Sequence, residues 1–378
     1  MKAKSIKGGS PEEIQRALAE SKKDGFSPTL AFVFITKIEN ADDLRSLFDK
    51  NGIAIFGAST SEKFTEQGIE ADDIVVLLLD ITPGYFRVVL KDYQVASPYE
   101  SARQAGEAGV QAFKNPAFII SGFDIRIPGE DLINGLMDAA GHHVTIIGGM
   151  AGELVNFTGI VFTNDASSTC GLLALVIDQD KIAVNGLAVS GWKPAGTEKK
   201  ITRSEGSWIH TIDNEPAMNV IQKFLGNEIS LGKQAEGLVP LNIGYPLQVQ
   251  RASGTPMMRP VLLWNTANQS VMIAGQAEEG ARFRFSLPPD FDVMDTVVES
   301  SRIIKEKNMP DADALIVFSC VGRLGSLGPM VSAEIEGLAA TWNKPMIGFF
   351  SLGEFGKVDD SQCEFHGTTV SWVALKEK

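Results

Sequence analysis

The feature of this 378-residue sequence that most restricts its fold is a unit of secondary structure that recurs three times. Strand-length apolar runs alternate with helix-length segments in the order helix, strand, helix, strand, small-residue loop, strand. Each loop ends in a glutamate, at Glu62, Glu153 or Glu354. The predicted strands span residues 30–35, 53–56 and 74–80; 118–122, 144–147 and 172–178; and 314–318, 346–350 and 370–375. Alternation of strands with helices predicts an α/β fold of layered sheets.

Two of the units begin with the same helix-start pattern. Ser10 and Ser97 are each followed by a proline and, three residues later, by a glutamate, which predicts a capping box. The third unit begins near Asp290 with a predicted helix over residues 291–307. The strands before the loops are almost entirely apolar, as expected when both faces of a sheet are covered.

The stretch from about residue 192 to residue 289 interrupts the repeat. It contains one predicted helix, residues 216–225, followed by short β-like runs. We therefore expect two domains. Residues 1–212 hold two repeat units, and residues 213–378 hold the junction helix, the β-rich segment and the third unit.

Charge and apolar patterning indicate where the protein works. The formal net charge of -13 repels phosphate backbones and anionic membrane surfaces, so we expect no nucleic acid partner. The longest apolar runs are far below the roughly 20 residues of a membrane span, and no apolar stretch follows the first lysines, so we expect neither membrane insertion nor a signal peptide. The three cysteines are distant in sequence and odd in number, which favours a reducing, cytoplasmic location.

Common metal and phosphate motifs are missing from the sequence. The histidines form no HExxH motif and the cysteines no CxxC pair, so no metal site is expected. Residues 148–152 do not fit GxGxxG, and residues 322–328 lack the lysine of a P-loop, so no cofactor is expected. Residues 348–353 look like a nucleophile elbow, but Phe349 stands where that motif needs glycine.

The small-residue loops are the first candidates for a binding site. Ligands of α/β sheets usually lie beyond the carboxyl ends of strands, where these loops fall. The candidate residues there are Gly149, Gly152, Glu153, Ser351 and Glu354. The alternative is that glycine and serine make tight turns and that the glutamates cap the next segment.

The third unit carries further reactive side chains. Cys320, beside Arg323 at the end of a predicted buried strand, could have a lowered thiol pKa, although a buried, inert cysteine is the commoner state. If the last strand neighbours the Cys320 strand, then Cys320, Glu354 and His366 converge. Such convergence would allow nucleophilic catalysis with His366 as base, while a structural histidine is an equal alternative.

Two further residue types could contact a ligand. Trp192 lies in a turn-rich loop, where a tryptophan serves as a ligand platform or, more often, as a lid over the core. Arg323 could hold a carboxylate through two hydrogen bonds. Weaker candidates for that role are Arg251, Arg259, Arg282 and Arg284.

Taken together, these motifs resemble the FIST family (F-box and intracellular signal transduction). Residues 148–153, 190–194 and 214–217 resemble the FIST N domain. Residues 318–323, 348–354 and 365–369 resemble the FIST C domain, and these three ordered motifs are the more specific set. The resemblance runs from about Leu30 to the end of the chain. It departs from the family pattern at Glu153, where aspartate is frequent, and at Gly367, where asparagine is frequent.

The resemblance implies a sensory module that binds a small molecule, with amino acids as candidate ligands. We expect Arg323 to hold an acidic group of the ligand, and Ser351, Glu354 and His366 to supply hydrogen bonds. No output domain is recognisable, so the signal would leave through a separate partner protein. Two alternatives remain open at this point: a cysteine-dependent enzyme that uses Cys320, His366 and Glu354, and a scaffold that binds only other proteins.

Overall fold

A computed structural model describes residues 1–123, 127–153, 158–225, 238–240, 246–251, 254–359 and 362–378. Within these residues, helices cover the outer faces of three six-stranded mixed sheets, and a fourth sheet lies apart from the repeat pattern. This arrangement confirms the predicted α/β class. No helix in the described ranges is both long enough and apolar enough to cross a bilayer.

The α-helices begin close to where the capping patterns predicted. Ser10 and Ser97 each accept a hydrogen bond from the backbone N–H three residues on, at 3.4 and 3.2 Å. The α-helices span Pro11–Ser21, Ala41–Lys50, Pro98–Ala112, Gly129–Ala140, Ala217–Leu225, Phe291–Lys307, Val321–Leu327 and Val331–Trp342. Short 3₁₀ turns span Ile38–Asn40, Pro83–Tyr85 and Gly328–Met330.

Each repeat unit contributes the centre of one sheet. In spatial order, the first sheet contains Lys2–Gly8, Ile74–Asp80, Leu30–Ile35, Ala54–Ser59, Val161–Phe162 and Ser167–Ser168. The second contains Phe86–Asp92, Gly171–Asp178, Pro116–Phe123, Thr145–Gly149, Glu354–Gly356 and Glu364–His366. The third contains Ile182–Val189, Val370–Glu377, Ala314–Cys320, Met346–Ser351, Lys63–Thr65 and Gly68–Glu70.

The three sheets share one topology. In each of them the two strands that flank the second helix of the unit are parallel, and the closing strand runs antiparallel beside them. Each unit also begins with a strand that the sequence reading missed: Lys2–Gly8, Phe86–Asp92 or Ile182–Val189. With these leading strands and a two-stranded hairpin in place of each small-residue loop, every unit has three more strands than predicted.

The units exchange short hairpins in a closed cycle. After its small-residue loop, the first unit sends Lys63–Thr65 to the third sheet, where it pairs with Met346–Ser351. The third unit sends Glu354–Gly356 to the second sheet, and the second unit sends Val161–Phe162 to the first sheet. Each of these three sheets is consequently completed by a hairpin from a different unit.

The inner faces of the three sheets meet in one apolar core. Alternate strand residues point inward, as Phe34, Ile119 and Phe318 do, while their neighbours face the helices. Phe318 and Phe34 each make an edge-to-face contact with Phe349. The centre of the three units is thus packed with side chains.

The interrupting segment forms the fourth sheet. Its strands, in spatial order, are Leu238–Pro240, Val261–Asn265, Ser270–Ile273, Trp208–Ile212, Pro194–Glu205, Arg282–Ser286, Leu247–Val249 and Met257–Arg259, with Glu215–Pro216 beside Trp208–Ile212. It has its own apolar core around Trp264 and Phe283. The sheet is inserted between the first strand and the first helix of the third unit. Because it contains strands from both sides of residue 212, a division at that residue passes through it.

Candidate functional site

A buried polar cluster lies at the loop of the third unit. The Glu354 carboxylate accepts hydrogen bonds from Ser351 Oγ at 2.6 Å and from Thr369 Oγ1 at 2.8 Å. The Thr369 backbone N–H donates to the same carboxylate at 3.2 Å, and the Cys320 thiol is a further hydrogen-bond partner. All four residues are buried. We call Cys320, Ser351, Glu354 and Thr369 the glutamate cluster.

Strand pairing explains why these residues meet. Cys320 and Ser351 end two parallel strands and lie opposite each other in the register. Two residues after Ser351 the chain turns, so that Glu354 enters the exchanged hairpin opposite His366. The Cys320 backbone N–H donates to Thr369 O at 2.9 Å, which places the start of the last strand beside the cluster.

Burial governs the ionisation of this cluster. Loss of hydration raises the pKa of Glu354 to about 8, although the donors from Ser351 and Thr369 oppose the rise. Burial, and then the nearby Glu354 charge, raise the pKa of the Cys320 thiol far above its ordinary value. Cys320 is therefore a thiol at neutral pH, because both causes disfavour the thiolate.

His366 lies next to the cluster but is held in a different hydrogen bond. Its Nε2 lies 3.2 Å from Gly356 O, and since a carbonyl only accepts, Nε2 carries the hydrogen. Burial, together with Arg259 and then Arg251, lowers the pKa of His366 to about 3, so the ring is neutral. Nδ1 is then an acceptor, and it makes no hydrogen bond to any described residue. The pairing in which His366 would activate Cys320 is not formed.

Arg323 is engaged within the protein. It lies on the short helix Val321–Leu327, directly after the strand that ends at Cys320. Its guanidinium pairs with Glu334 through two hydrogen bonds, and Nη1 also donates to Ser190 O at 2.7 Å and Thr368 O at 3.1 Å. Both members of the ion pair are fully buried. In this geometry the Arg323 guanidinium holds together the loops that contain Ser190 and Thr368.

A cavity of about 440 Å³ lies between the third sheet and the inserted sheet. Trp192, Ser190 and Gln248 form part of its wall, and His366 and Thr369 lie at its inner end. Trp192 Nε1 donates to Thr368 O at 3.1 Å. The exposed side chains of Glu198 and Arg284 complete the lining. We call this space the junction cavity.

The loop residues of the second unit divide between two places. Gly149 pairs with Glu354 across the exchanged hairpin, and an added Cβ there would lie 2.9 Å from Ser351 Cβ. Gly152 instead bridges to Thr60 of the first unit, and Glu153 borders a separate cavity of about 280 Å³. The structure thus brings Gly149, Trp192, Cys320, Arg323, Ser351, Glu354 and His366 into one region, and it places Gly152 and Glu153 elsewhere.

Several residues of this region were not singled out by the sequence. Thr369 belongs to the motif around His366, and its place directly after the turn was an available signal. Ser190 likewise belongs to the motif at residues 190–194, whereas Glu334 and Gln248 carry no such signal, because they come from a helix and an inserted strand. In the described residues, no group of three or more His, Cys, Asp or Glu side chains has an arrangement that could hold a metal ion.

Comparison with solved structures gives two alignments over nearly the whole chain. A cyanuric acid hydrolase from A. caulinodans is 9% identical, with 100% of this chain and 99% of that chain covered and a TM-score of 0.37. A chorismatase is 8% identical, with 99% and 97% covered and a TM-score of 0.36. Both TM-scores are too low to support an argument about this protein. Comparison with curated proteins gives no match.

Comparison with family models gives two matches in series. The model of the FIST N domain matches residues 29–215, and that of the FIST C domain matches residues 217–357. FIST domains are associated with sensory roles in signal transduction. Because the two matches together cover most of the sequence, this chain belongs to the FIST family.

Proposed function

We propose that this protein is a sensory protein that binds a small molecule in the junction cavity and passes the signal to a separate partner protein. The observation that carries the proposal is a pair of buried polar atoms at that cavity. Ser190 Oγ and His366 Nδ1 make no hydrogen bond to the described residues. Buried polar atoms are nearly always paired, so a ligand group is a natural partner for both.

The cavity has the size and lining of a metabolite site. A volume of about 440 Å³ falls within the usual range for small-ligand pockets. Trp192 and Met258 supply apolar surface, and Gln248 and Thr369 supply polar groups. His366 and Thr369 have no exposed surface, so a ligand that reaches them must push the wall outward. Such a movement is a means of reporting binding to a partner.

The chemistry of the wall favours an amino acid. Neutral His366 accepts at Nδ1, so the ligand group beside it must donate, as an ammonium does. Arg284 offers a cation at the cavity for a carboxylate. We therefore assign the hydrogen bond to the ligand's ammonium group to His366, and the contact with its carboxylate to Arg284. Glu354 and Arg323, which the sequence favoured, instead bond within the protein.

Thermal-shift screening of amino acids tests the proposal. A ligand at one hundred times its Kd should stabilise the protein by about 2.7 kcal/mol. Ser190→Ala should raise the Kd of the best ligand roughly ten-fold, because one hydrogen bond is lost. His142→Asn, on the exposed surface, should leave it unchanged. A melting temperature that no amino acid alters, or an equal response in the Ser190 variant, would contradict the proposal.

The two other functions receive less support. Catalysis by Cys320 needs a thiolate and a base in contact with it, whereas burial raises the pKa of this thiol and His366 bonds to Gly356. A pure scaffold would leave Ser190 Oγ and His366 Nδ1 without a partner. We further propose a cytoplasmic location, because none of the three cysteines, all of which lie in the described ranges, forms a disulfide bond.

A further inference from the structure

A second cavity, of about 530 Å³, lies on the other side of the segment that carries His366. Its wall combines the second unit, the inserted sheet and the hairpin of the third unit. Gln250 borders both this space and the junction cavity. We call it the arginine cavity, because Arg251 and Arg259 both line it.

Arg259 is fully buried, with about 1% of its surface exposed. Nη2 donates to Glu130 Oε1 at 2.6 Å, and Nη1 donates to Phe365 O at 2.8 Å. Nε makes no hydrogen bond to the described residues. An unsatisfied donor on a buried cation is costly, because it has lost its hydration without gaining a partner.

The Glu130 carboxylate does not satisfy that donor, and its own Oε2 is also buried without a hydrogen bond to the described residues. Its Oε1 is held both by Arg259 Nη2 and by the Gln276 backbone N–H at 3.1 Å. Gly275, with a positive φ of 85°, brings the backbone so close that an added Cβ would lie 2.4 Å from Glu130 Oε1 and 2.8 Å from Arg259 Cζ. The backbone therefore fixes one face of the ion pair, and Nε is left for another partner.

Arg251 repeats this pattern at the same cavity. Its Nη1 pairs with Glu364 and its Nε donates to Thr255 O, while Nη2 is buried and without a hydrogen bond in the described ranges. The two arginines also repel each other, and within the described ranges each forms an ion pair with one carboxylate, while Glu278 also lines the cavity. A further anion would satisfy donors that these carboxylates do not reach.

We propose that the arginine cavity binds a small carboxylate, which accepts hydrogen bonds from Arg259 Nε and Arg251 Nη2. The site is separate from the proposed amino acid site and does not require it. A ligand here contacts the arginine that donates to Phe365 O, the residue directly before His366. The adjacent residues Phe365 and His366 thus line different cavities, one on each side of the segment.

The test uses acetate, succinate and benzoate, none of which carries an ammonium group, each against sodium chloride at matched ionic strength. At least one should raise the melting temperature of the wild-type protein in a saturable manner. Arg251→Gln should weaken that binding roughly ten-fold or more, because the guanidinium that carries the Nη2 donor is lost. Arg259→Gln combined with Glu130→Gln removes the buried pair together and should abolish it.

Controls at the junction cavity separate the two sites. Arg284→Gln and Ser190→Ala should leave carboxylate binding unchanged, since both residues line only the other space. The proposal is overturned if no carboxylate exceeds the chloride control, or if Arg251→Gln binds as the wild type does. It is equally overturned if Arg284→Gln is the variant that loses binding. None of these outcomes bears on the response to amino acids, which is read with Ser190→Ala.

Discussion

The loops of the second and third units occupy equivalent places in the repeat, yet they differ in chemistry. Each follows a parallel strand, and each ends in a glutamate. Glu354 is fully buried among hydroxyl, thiol and backbone donors, whereas Glu153 is half-buried, and Thr158 donates to it at 3.2 Å. The repeat supplies a common frame, and the neighbours that pack against each loop decide how deeply its glutamate is buried.

The largest difference in stability between variants of the second and third units should come from loss of an ion pair. Glu334→Ala leaves the Arg323 charge buried without its carboxylate, which should lower the free energy of unfolding by about 3–5 kcal/mol. The matched control is Glu100→Ala in the second unit, where the exposed pair with Arg103 should cost about 1 kcal/mol or less. Urea denaturation of both variants measures this. Equal losses would show that the third unit is not unusual in its buried charge.

The next effect concerns the close approach of the two loops. Gly149→Ala places a Cβ 2.8 Å from Phe318 Cβ and 2.9 Å from Ser351 Cβ, so the loops must separate. We expect a loss of about 1–3 kcal/mol. Gly84→Ala, with no atom within 4 Å of the added Cβ, should change stability by less than about 0.5 kcal/mol. A Gly149 variant as stable as the Gly84 variant would refute tight packing between the loops.

Measuring the free energy of unfolding as a function of pH allows a comparison of Glu354 with Glu153. The folded pKa of Glu354 is about 8 and its ordinary value is 4.5, so the folded protein holds a proton that the unfolded chain loses in this range. Its contribution is fully present below pH 4.5 and is lost as the pH rises towards 8. The pKa of His366 is lowered from 6.5 to about 3, so its contribution to the free energy of unfolding rises with pH instead. That rise ends near pH 6.5.

Between pH 6.5 and 8, Glu354 should therefore lower the free energy of unfolding by about 2 kcal/mol. Glu354→Gln should remove that fall, and Glu153→Gln should retain it. Denaturant melts of the three proteins at pH 6.5, 7.25 and 8 provide the measurement. A fall of the same size in Glu354→Gln would assign it to another group.

The smallest expected signal is the reactivity of Cys320. Burial and the neighbouring Glu354 disfavour its thiolate, so iodoacetamide should label Cys320 more slowly in the folded protein than in the denatured chain. Cys170, which is partly exposed, is the internal reference. Peptide mapping after timed labelling resolves the two sites. Labelling of Cys320 faster than in the denatured chain would revive the cysteine-dependent enzyme.

The repeat could be predicted because its signals are local. Capping boxes and apolar runs depend on residues close in sequence. The condition set for the convergence of Cys320, Glu354 and His366, that the last strand neighbours the Cys320 strand, is met. The leading strand Phe86–Asp92 was missed because most of it is only half-buried and its residues are mixed in polarity. The exchanged hairpins are two or three residues per strand, too short to have a sequence signature of their own.

The internal partners of Arg323 show why the site was harder to predict. Glu334 follows eleven residues later on another helix, and the Ser190 carbonyl is 133 residues away. A sequence pattern identifies an arginine beside a strand end, but it does not reveal which acceptors the fold places around it. The same limit applies to Arg259, whose partner Glu130 lies in the second unit.

The cyclic exchange of hairpins among the three units affects how the protein unfolds. Removing one unit removes the edge hairpin of another unit's sheet. The strand that paired with this hairpin would then expose unpaired backbone amides and carbonyls to other chains. Melting of the three units should accordingly be one cooperative transition. Fragments produced by cleavage between units should self-associate through their exposed edge strands, because no unit supplies the hairpin that covers the edge of its own sheet.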